Sequence, residues 1–251
     1  MIKFTASLWQ RALPLALFAC LINNTAASLA NSGLMAPNAS RSDAYISDIS
    51  GDGLYRWTPD RFPLKVYMKP GSGLPGYRDY YPDVLRKCFD DWTQRSNGKL
   101  SWKEVSSPKN ADITVGWSDQ AVEAANGTEA GKTKTFAKYN TQTNWGTIDR
   151  AEMRLLTKLP EREFADSEIR KAWLHEVGHA FGIAGHSSDP NDIMYFAVSK
   201  RNPGELSNRD IATMSYLYQQ QNQNQATMIG SAPRSNEQLE RSQSIDPYRQ
   251  Y

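Results

Sequence analysis

The sequence predicts an α+β domain in which helices cover a sheet. Short segments with the alternation or the bounded apolar runs of strands lie between residues 64 and 156, and one helical segment interrupts them. Two further helical segments follow, at residues 166–181 and 207–218. Because helices do not alternate regularly with strands, this order favours a sheet covered by helices over a regular α/β repeat.

The first strand is predicted at residues 64–68, where LKVYM lies between Pro63 and the turn pair Pro70-Gly71. Residues 80–95 then carry an apolar stripe at helical spacing. Four more strands are predicted at residues 100–105, 111–117, 132–139 and 148–156. Lysines are typical of strands that have no partner on one side, and residues 132–139 contain several. We therefore expect this segment to be an edge strand.

The second helix is predicted to begin with Asp166 as its N-cap and to end near Phe181, since Gly182 follows directly. The last helix, at residues 207–218, has an apolar face formed by Ile211, Met214, Leu217 and Tyr218.

The start of the chain resembles an export signal. Lys3 and Arg11 precede an apolar run that is followed by small residues, which predicts a signal peptide over residues 1–30. The run has eleven residues, and a helix needs about 20 to cross a bilayer. We therefore expect a secreted, periplasmic or otherwise extracytoplasmic protein without an integral membrane span. The alternative is a lipoprotein anchored through an acylated Cys20.

Composition defines three further regions. Residues 31–52 are small and polar and predict a flexible lead-in, residues 53–218 hold the domain, and the Gln-rich residues 219–251 predict a disordered tail.

Without residues 1–30 the chain has 27 basic and 27 acidic residues. A neutral body excludes nucleic acid as an expected partner, and we expect a monomer.

The chemistry is concentrated in HEVGHAFGIAGH, which holds all three histidines of the protein. His175 and His179 are four residues apart, so both imidazoles project from one face of a helix and can reach one ion. Glu176 lies beside that ion without being a ligand. Zinc suits imidazole and, in hydrolases, takes three protein ligands and one water.

A third protein ligand is therefore needed. Gly182 and Gly185 allow the chain to leave the helix and turn back, because glycine accepts positive φ. This turn is expected to bring His186 to the metal. The sequence thus predicts a single zinc ion held by His175, His179 and His186.

These motifs resemble the metzincin clan of zinc peptidases. The zinc motif is followed by Asp192-Ile193-Met194-Tyr195, which resembles the Met-turn of that clan, and Ser187 after the third histidine is most similar to the matrixin branch. The similarity extends over residues 55–218. The spacing HExxHxxGxxGH departs from the usual matrixin pattern by one residue, because Gly185 stands where the third histidine is usual, and is similar to a variant found in bacterial matrixin-like proteins.

The resemblance implies a five-stranded mixed sheet with two helices above a cleft. Below the cleft it implies a small subdomain with the last helix and Met194 as the floor of the metal site. It also implies a zinc-dependent endopeptidase that acts on protein or peptide substrates, with Glu176 as general base and acid toward a zinc-activated water. Substrate is expected to pair with residues 132–139, and residues 195–199 to line the pocket beyond the cleaved bond. Calcium is compatible with this resemblance, but no residue pattern assigns a site for it.

Three alternatives remain open from the sequence. A thermolysin-like site would take a distant glutamate, for which Glu205 is the best placed. The domain could also be a zinc-stabilised binding protein on the cell surface, although Glu176 would then have no use. The last alternative is a secreted protein without metal.

Overall fold

The computed structural model describes residues 43–51, 53–124, 127–160, 162–219 and 240–245. The predicted signal peptide and Cys20 lie outside these residues. Within the described part, no helix combines the length and the apolar character needed to span a membrane.

A large sheet forms the centre of the fold, as the strand patterns predicted. Its strands are β1 Leu54–Arg56, β2 Leu64–Met68, β3 Trp102–Glu104, β4 Ile113–Ser118, β7 Gly131–Asn140, β8 Trp145–Leu156 and β9 Glu240–Ile245. A separate antiparallel pair consists of β5 Val122–Ala124 and β6 Gly127–Glu129. The helices are α1 Ile46–Ile49, α2 Tyr81–Arg95, α3 Asp166–Ala180 and α4 Asn208–Gln219.

The sheet is mixed, and its strand order is β3-β2-β4-β8-β7-β9, with β1 paired to β8. Strands β2, β3, β4, β8 and β1 pair in parallel, whereas β7 is antiparallel to both of its neighbours. The expected α+β class and mixed sheet are confirmed. The sheet has seven strands where five were expected, because β1 and β9 extend it.

Strand β9 differs most from the expectation based on sequence. It lies within residues 219–251, which were predicted to be a disordered tail, and it pairs with β7 from Glu240 opposite Asn140 to Ile245 opposite Thr135. The polar segment ERSQSI has too few apolar residues to signal a strand, and its pairing relies on backbone groups. Strand β7 is consequently not an edge strand over its second half.

Helices α2 and α3 pack against each other and, together with the sheet, enclose the core. Trp92 of α2 donates its indole N–H to the carbonyl oxygen of Leu174 in α3 at 2.8 Å. Trp173 and Phe89 are fully buried beside them. These contacts fix α3, which carries the predicted metal motif, against α2.

The ends of α3 agree with the prediction at the C-terminus and differ at the N-terminus. Ala165 is the N-cap and Asp166 the first helical residue. The cap is closed by Glu168, whose Oε2 accepts the backbone N–H of Ala165 at 3.0 Å. Asp166 instead accepts a hydrogen bond from the hydroxyl of Tyr80 at 2.7 Å.

The described part of the predicted lead-in, residues 43–51, belongs to the folded domain. It forms α1, and Tyr45 and Ile49 are only 2% and 4% exposed. The hydroxyl of Tyr45 donates to Oδ1 of Asp210 in α4 at 2.8 Å. Most residues of this segment are small and polar, so its composition alone predicted a flexible lead-in. The two buried side chains that anchor it do not form a periodic apolar pattern.

Candidate metal centre

Helix α3 brings two of the predicted ligands together. His175 and His179 lie one turn apart, and their Nε2 atoms are 3.0 Å apart. Both side chains are largely buried, with 9% and 2% of their surface exposed. Two nitrogens bound tetrahedrally to one zinc ion at 2.0 to 2.1 Å would lie roughly 3.3 Å apart, which is close to this separation.

The chain then turns after α3, so that the third histidine lies beside the first two. Helix α3 ends at Ala180 with Phe181 as its C-cap, and Gly182 has a φ of +112° that favours glycine. The ring of His186 lies 5.2 Å from that of His175 and 5.1 Å from that of His179, measured between centroids. One ligand atom from each of the three histidines lies within 4.8 Å of the others.

Gly185, the inserted residue of the motif, serves a purpose other than the one expected. Its φ is not in the left-handed region, so the turn does not depend on backbone freedom at this position. A Cβ atom at Gly185 would lie 3.1 Å from Cα of Ile49 in α1. Glycine at this position therefore favours the close approach of α1 to the histidine loop, because a Cβ would force one of them to shift by a few tenths of an ångström.

The hydrogen bonds of the two helical histidines determine which nitrogen faces the shared point. Nδ1 of His175 lies 2.8 Å from the carbonyl oxygen of Ile193, and Nδ1 of His179 lies 2.6 Å from that of Ile183. Because a carbonyl oxygen only accepts, both Nδ1 atoms must donate, and the Nε2 atoms of the neutral rings carry lone pairs. Two lone pairs that meet at 3.0 Å repel each other unless a cation lies between them.

Burial keeps these rings neutral. Desolvation lowers the pKa of His175 to about 4 and that of His186 to about 3, and it lowers the pKa of His179 well below its usual value. A neutral imidazole is the form that binds a metal ion. The donor set, its spacing and its protonation state thus fit a zinc ion.

A buried carboxylate stands next to these rings. Glu176 is 2% exposed, and its Oε2 accepts a hydrogen bond from the hydroxyl of Thr133 in β7 at 2.6 Å. A Cβ atom at Gly131 would come within 2.7 Å of Cγ of Glu176, so only glycine leaves room for this side chain. Sequence reasoning missed Thr133 and Gly131, because only the position of β7 in the sheet brings them to α3.

Met194 packs against the helix that carries two of the histidines. It is fully buried, and a Cβ atom at Gly178 would collide with its Sδ. The backbone N–H of Ser187, directly after His186, donates to the carbonyl oxygen of Met194 at 2.8 Å. Met194 therefore contacts both the helix and the loop from which the three histidines project.

Asp210 of α4 holds the turn that contains Met194. Its carboxylate accepts the backbone N–H groups of Ile193 at 2.8 Å and of Met194 at 3.3 Å. It is fully buried and also accepts the hydroxyl of Tyr45. Although these donors favour the charged form, burial has the larger effect and raises the pKa of Asp210.

The distant glutamate that the sequence allowed as an alternative ligand is not used. The exposed Glu205 is not a member of the histidine cluster, so the thermolysin-like ligand set is not the one that the fold assembles. Cys88 is buried in α2, and burial raises the pKa of its thiol to about 12. Phe196 and Val198, which follow the Met194 turn, are 54% and 49% exposed.

The fold and the site define a class of protein. A mixed sheet covered by helices, three converging imidazoles, an adjacent carboxylate and a buried methionine against the same helix are together typical of a metzincin-type zinc peptidase. The family model of matrixin matches residues 68–219, and the chain belongs to the matrixin family. It is accordingly a zinc metalloendopeptidase. The comparison with curated proteins gave no match.

Proposed function

We propose that the protein is an exported zinc endopeptidase in which His175, His179 and His186 hold one zinc ion and Glu176 transfers protons during peptide hydrolysis. The observation that carries the proposal is the convergence of the three ligand atoms within 4.8 Å of one another. The two lone pairs facing each other on His175 and His179 support the same ligand set.

The ion, when bound, supplies the Lewis acidity that favours deprotonation of water and polarises the peptide carbonyl. Glu176 accepts the proton from the attacking water and later delivers it to the leaving amine. Its carboxylate is suited to this role because it lies beside the histidines on α3. The hydroxyl of Thr133 orients Oε2, so that the carboxylate keeps one geometry throughout.

The substrate backbone is proposed to lie extended along the first part of β7. Residues 131–134 precede the stretch that pairs with β9, and Gly131 and Thr133 contact Glu176. A peptide that adds to this strand would form main-chain hydrogen bonds and present its scissile bond beside the carboxylate. The exposed Phe196 and Val198 are suited to receive an apolar substrate side chain.

Export is proposed from the sequence of residues 1–30. Lys3 and Arg11, the apolar run after them and the mainly small residues at 26–30 form the order of a signal peptide. Acylation at Cys20 is the alternative, and mass spectrometry of the mature protein from the native host distinguishes the two by the first residue and by an added lipid.

The experiment that tests the catalytic assignment compares three variants with the parent protein on a quenched fluorescent peptide library. Glu176→Ala should retain zinc and lose nearly all activity. His186→Ala should lose both zinc and activity, because it removes a ligand. Glu205→Ala is the matched control and should behave like the parent, since the exposed Glu205 lies outside the cluster.

Zinc content is measured on each purified protein by atomic emission, with a chelator-treated sample as the blank. If Glu176→Ala cleaves the library at the rate of the parent, the role of Glu176 is wrong. If the parent and a variant that releases β9 from β7 both bind one zinc ion and cleave nothing, the domain is a zinc-stabilised binding protein.

A further inference from the structure

The chain places one of its own segments on the strand that is proposed to bind substrate. Strand β9 lies antiparallel on β7 over six residue pairs, from Glu240 opposite Asn140 to Ile245 opposite Thr135. Ile245 is 8% exposed and belongs to the hydrophobic core. The pairing is thus anchored by a buried side chain at the end nearest to the metal centre.

The direction of β9 is significant. It runs along β7 from Asn140 toward Thr135, and the residues that follow on β7 in this direction are the ones near Glu176. The hydroxyl of Thr133, two residues beyond the last described pair, is hydrogen-bonded to Glu176. Two strand residues span roughly 7 Å, so the last described pair of β9 and β7, Ile245 opposite Thr135, lies about 7 Å along β7 from Thr133.

A substrate strand and β9 require the same backbone groups. Alternate residues of β7 point their N–H and C=O groups away from β8, and those groups can bond only one neighbouring strand on that side. A peptide that extends along β7 past Thr135 would need the groups that are bonded to β9. Both cannot occupy this part of the edge at the same time.

We propose that β9, Glu240–Ile245, is an intramolecular competitor of the substrate, which occupies the edge of β7 from Thr135 onward until it is displaced. The proposal rests on the proposed peptidase function and names the regulation of that site. The occupant is the segment ERSQSI of β9.

Covalent attachment favours this occupant over a free peptide. A tethered segment competes at an effective concentration on the order of millimolar, well above that of most free substrates.

The test uses two variants of the full chain that differ only in the side of β9 that receives a charge. Ile245→Asp places a carboxylate in the buried position and should release β9, because an unpaired buried charge is strongly unfavourable. Ser244→Asp places the same carboxylate on the exposed side, opposite Phe136, and should leave β9 in place. The double variant Ser242→Pro/Gln243→Pro is a second releasing variant, since one of two consecutive strand residues must donate its N–H to β7 and proline has none.

We expect kcat/KM for a fluorescent peptide to rise about tenfold or more in Ile245→Asp and in the double proline variant if a tenth or less of the parent molecules are open. Ser244→Asp should match the parent. A synthetic peptide of residues 240–251 should inhibit Ile245→Asp competitively, raising KM without changing kcat, whereas a scrambled peptide should not inhibit. Zinc content and thermal unfolding verify that each variant is folded.

Equal activity of the parent and both releasing variants would overturn the blocking role while leaving the peptidase intact. Inactivity of every form with zinc bound would instead overturn the proposed peptidase itself. Hydrogen exchange adds a readout that does not need turnover. The amides of β7 within residues 135–140 that point toward β9 should lose protection in Ile245→Asp, whereas those that point toward β8 should keep it. Retained protection on the β9 side would show that β9 had not been released and that the buried anchor was wrongly assigned.

Discussion

The hydroxyl oxygen of Thr133 lies 2.6 Å from Oε2 of Glu176, which ties strand β7 to the carboxylate beside the metal centre. The same oxygen lies 3.1 Å from the backbone carbonyl of Glu176. A hydroxyl has one proton, and the shorter contact to the charged acceptor is the stronger one. Thr133 is fully buried, so water cannot replace it without rearrangement.

The first prediction concerns Thr133→Val, which keeps the shape of the side chain and removes its donor. Loss of a hydrogen bond to a charged group costs about 1.5 to 3 kcal/mol. We therefore expect kcat/KM to fall roughly 10- to 100-fold, at the rate of tenfold for each 1.4 kcal/mol. The acidic limb of the pH–rate profile should move to higher pH, because the donor stabilises the ionised carboxylate.

Thr135→Val is the matched control, since Thr135 is also buried on β7 and lies farther along the strand. Thr133→Ser should restore most of the activity because it returns the hydroxyl. A Thr133→Val enzyme with the pH profile of the parent would mean that the contact does not orient the general base.

The contrast between His186 and Thr133 indicates how far the sequence determines this site. Three histidines in a window of twelve residues, with glycines at the end of a helix, are brought together by local geometry, which spacing alone predicts. Thr133 is 43 positions from Glu176, and their contact depends on the register of β7 against β8. Nothing local to Thr133 distinguishes it from Thr135.

Tyr45 and β9 show why the domain boundaries were less predictable than the core. Strands β2, β4 and β8 were predicted because one or both of their faces are apolar and buried. Tyr45 is held by Asp210, 165 positions away, and β9 is held by backbone hydrogen bonds to β7. Neither kind of interaction produces a periodic apolar pattern.

The second prediction concerns removal of the metal. Zinc binds the folded site and not the unfolded chain, so it should stabilise the protein by about 2.7 kcal/mol at a free concentration one hundred times Kd. Chelation should lower the thermal midpoint, and added zinc should restore it. Glu176→Ala should show the same shift as the parent, whereas His186→Ala should show little. A midpoint in the parent that does not respond to zinc would exclude the three histidines as its ligands.

The third prediction concerns the link between the N-terminal segment and the turn at Met194. Tyr45→Phe removes the hydroxyl that donates to Asp210 at 2.8 Å and leaves that buried carboxylate with one donor fewer. We expect the free energy of unfolding to fall by about 1 to 3 kcal/mol. Tyr80→Phe is the control, because its bond to Asp166 lies at the surface, and we expect a change within about 0.5 kcal/mol. Urea denaturation monitored by tryptophan fluorescence measures both values, and an equal change in the two variants would contradict the coupling.

The last prediction tests whether Met194 is the floor of the site. Gly178 lies between the two helical histidines, and a Cβ atom there would collide with Sδ of Met194 and lie 2.9 Å from Cζ2 of Trp92. Alanine is favoured over glycine in a helix by about 1 kcal/mol. The clash should outweigh this gain, since overpacking typically costs about 1 to 3 kcal/mol.

We therefore expect Gly178→Ala to lower the free energy of unfolding and to weaken zinc binding, because α3 must shift at the turn that joins His175 to His179. Met194→Ala alone should cost roughly 2 to 5 kcal/mol through the cavity it creates. In the Gly178→Ala/Met194→Ala double variant, the methyl group added at position 178 fills part of that cavity. The double variant should therefore be destabilised by less than the sum of the two single variants. Gly51→Ala serves as the control, because no atom lies within 4 Å of its added Cβ. Additive effects in the double variant, measured by urea denaturation and zinc titration, would separate Met194 from the metal-bearing helix.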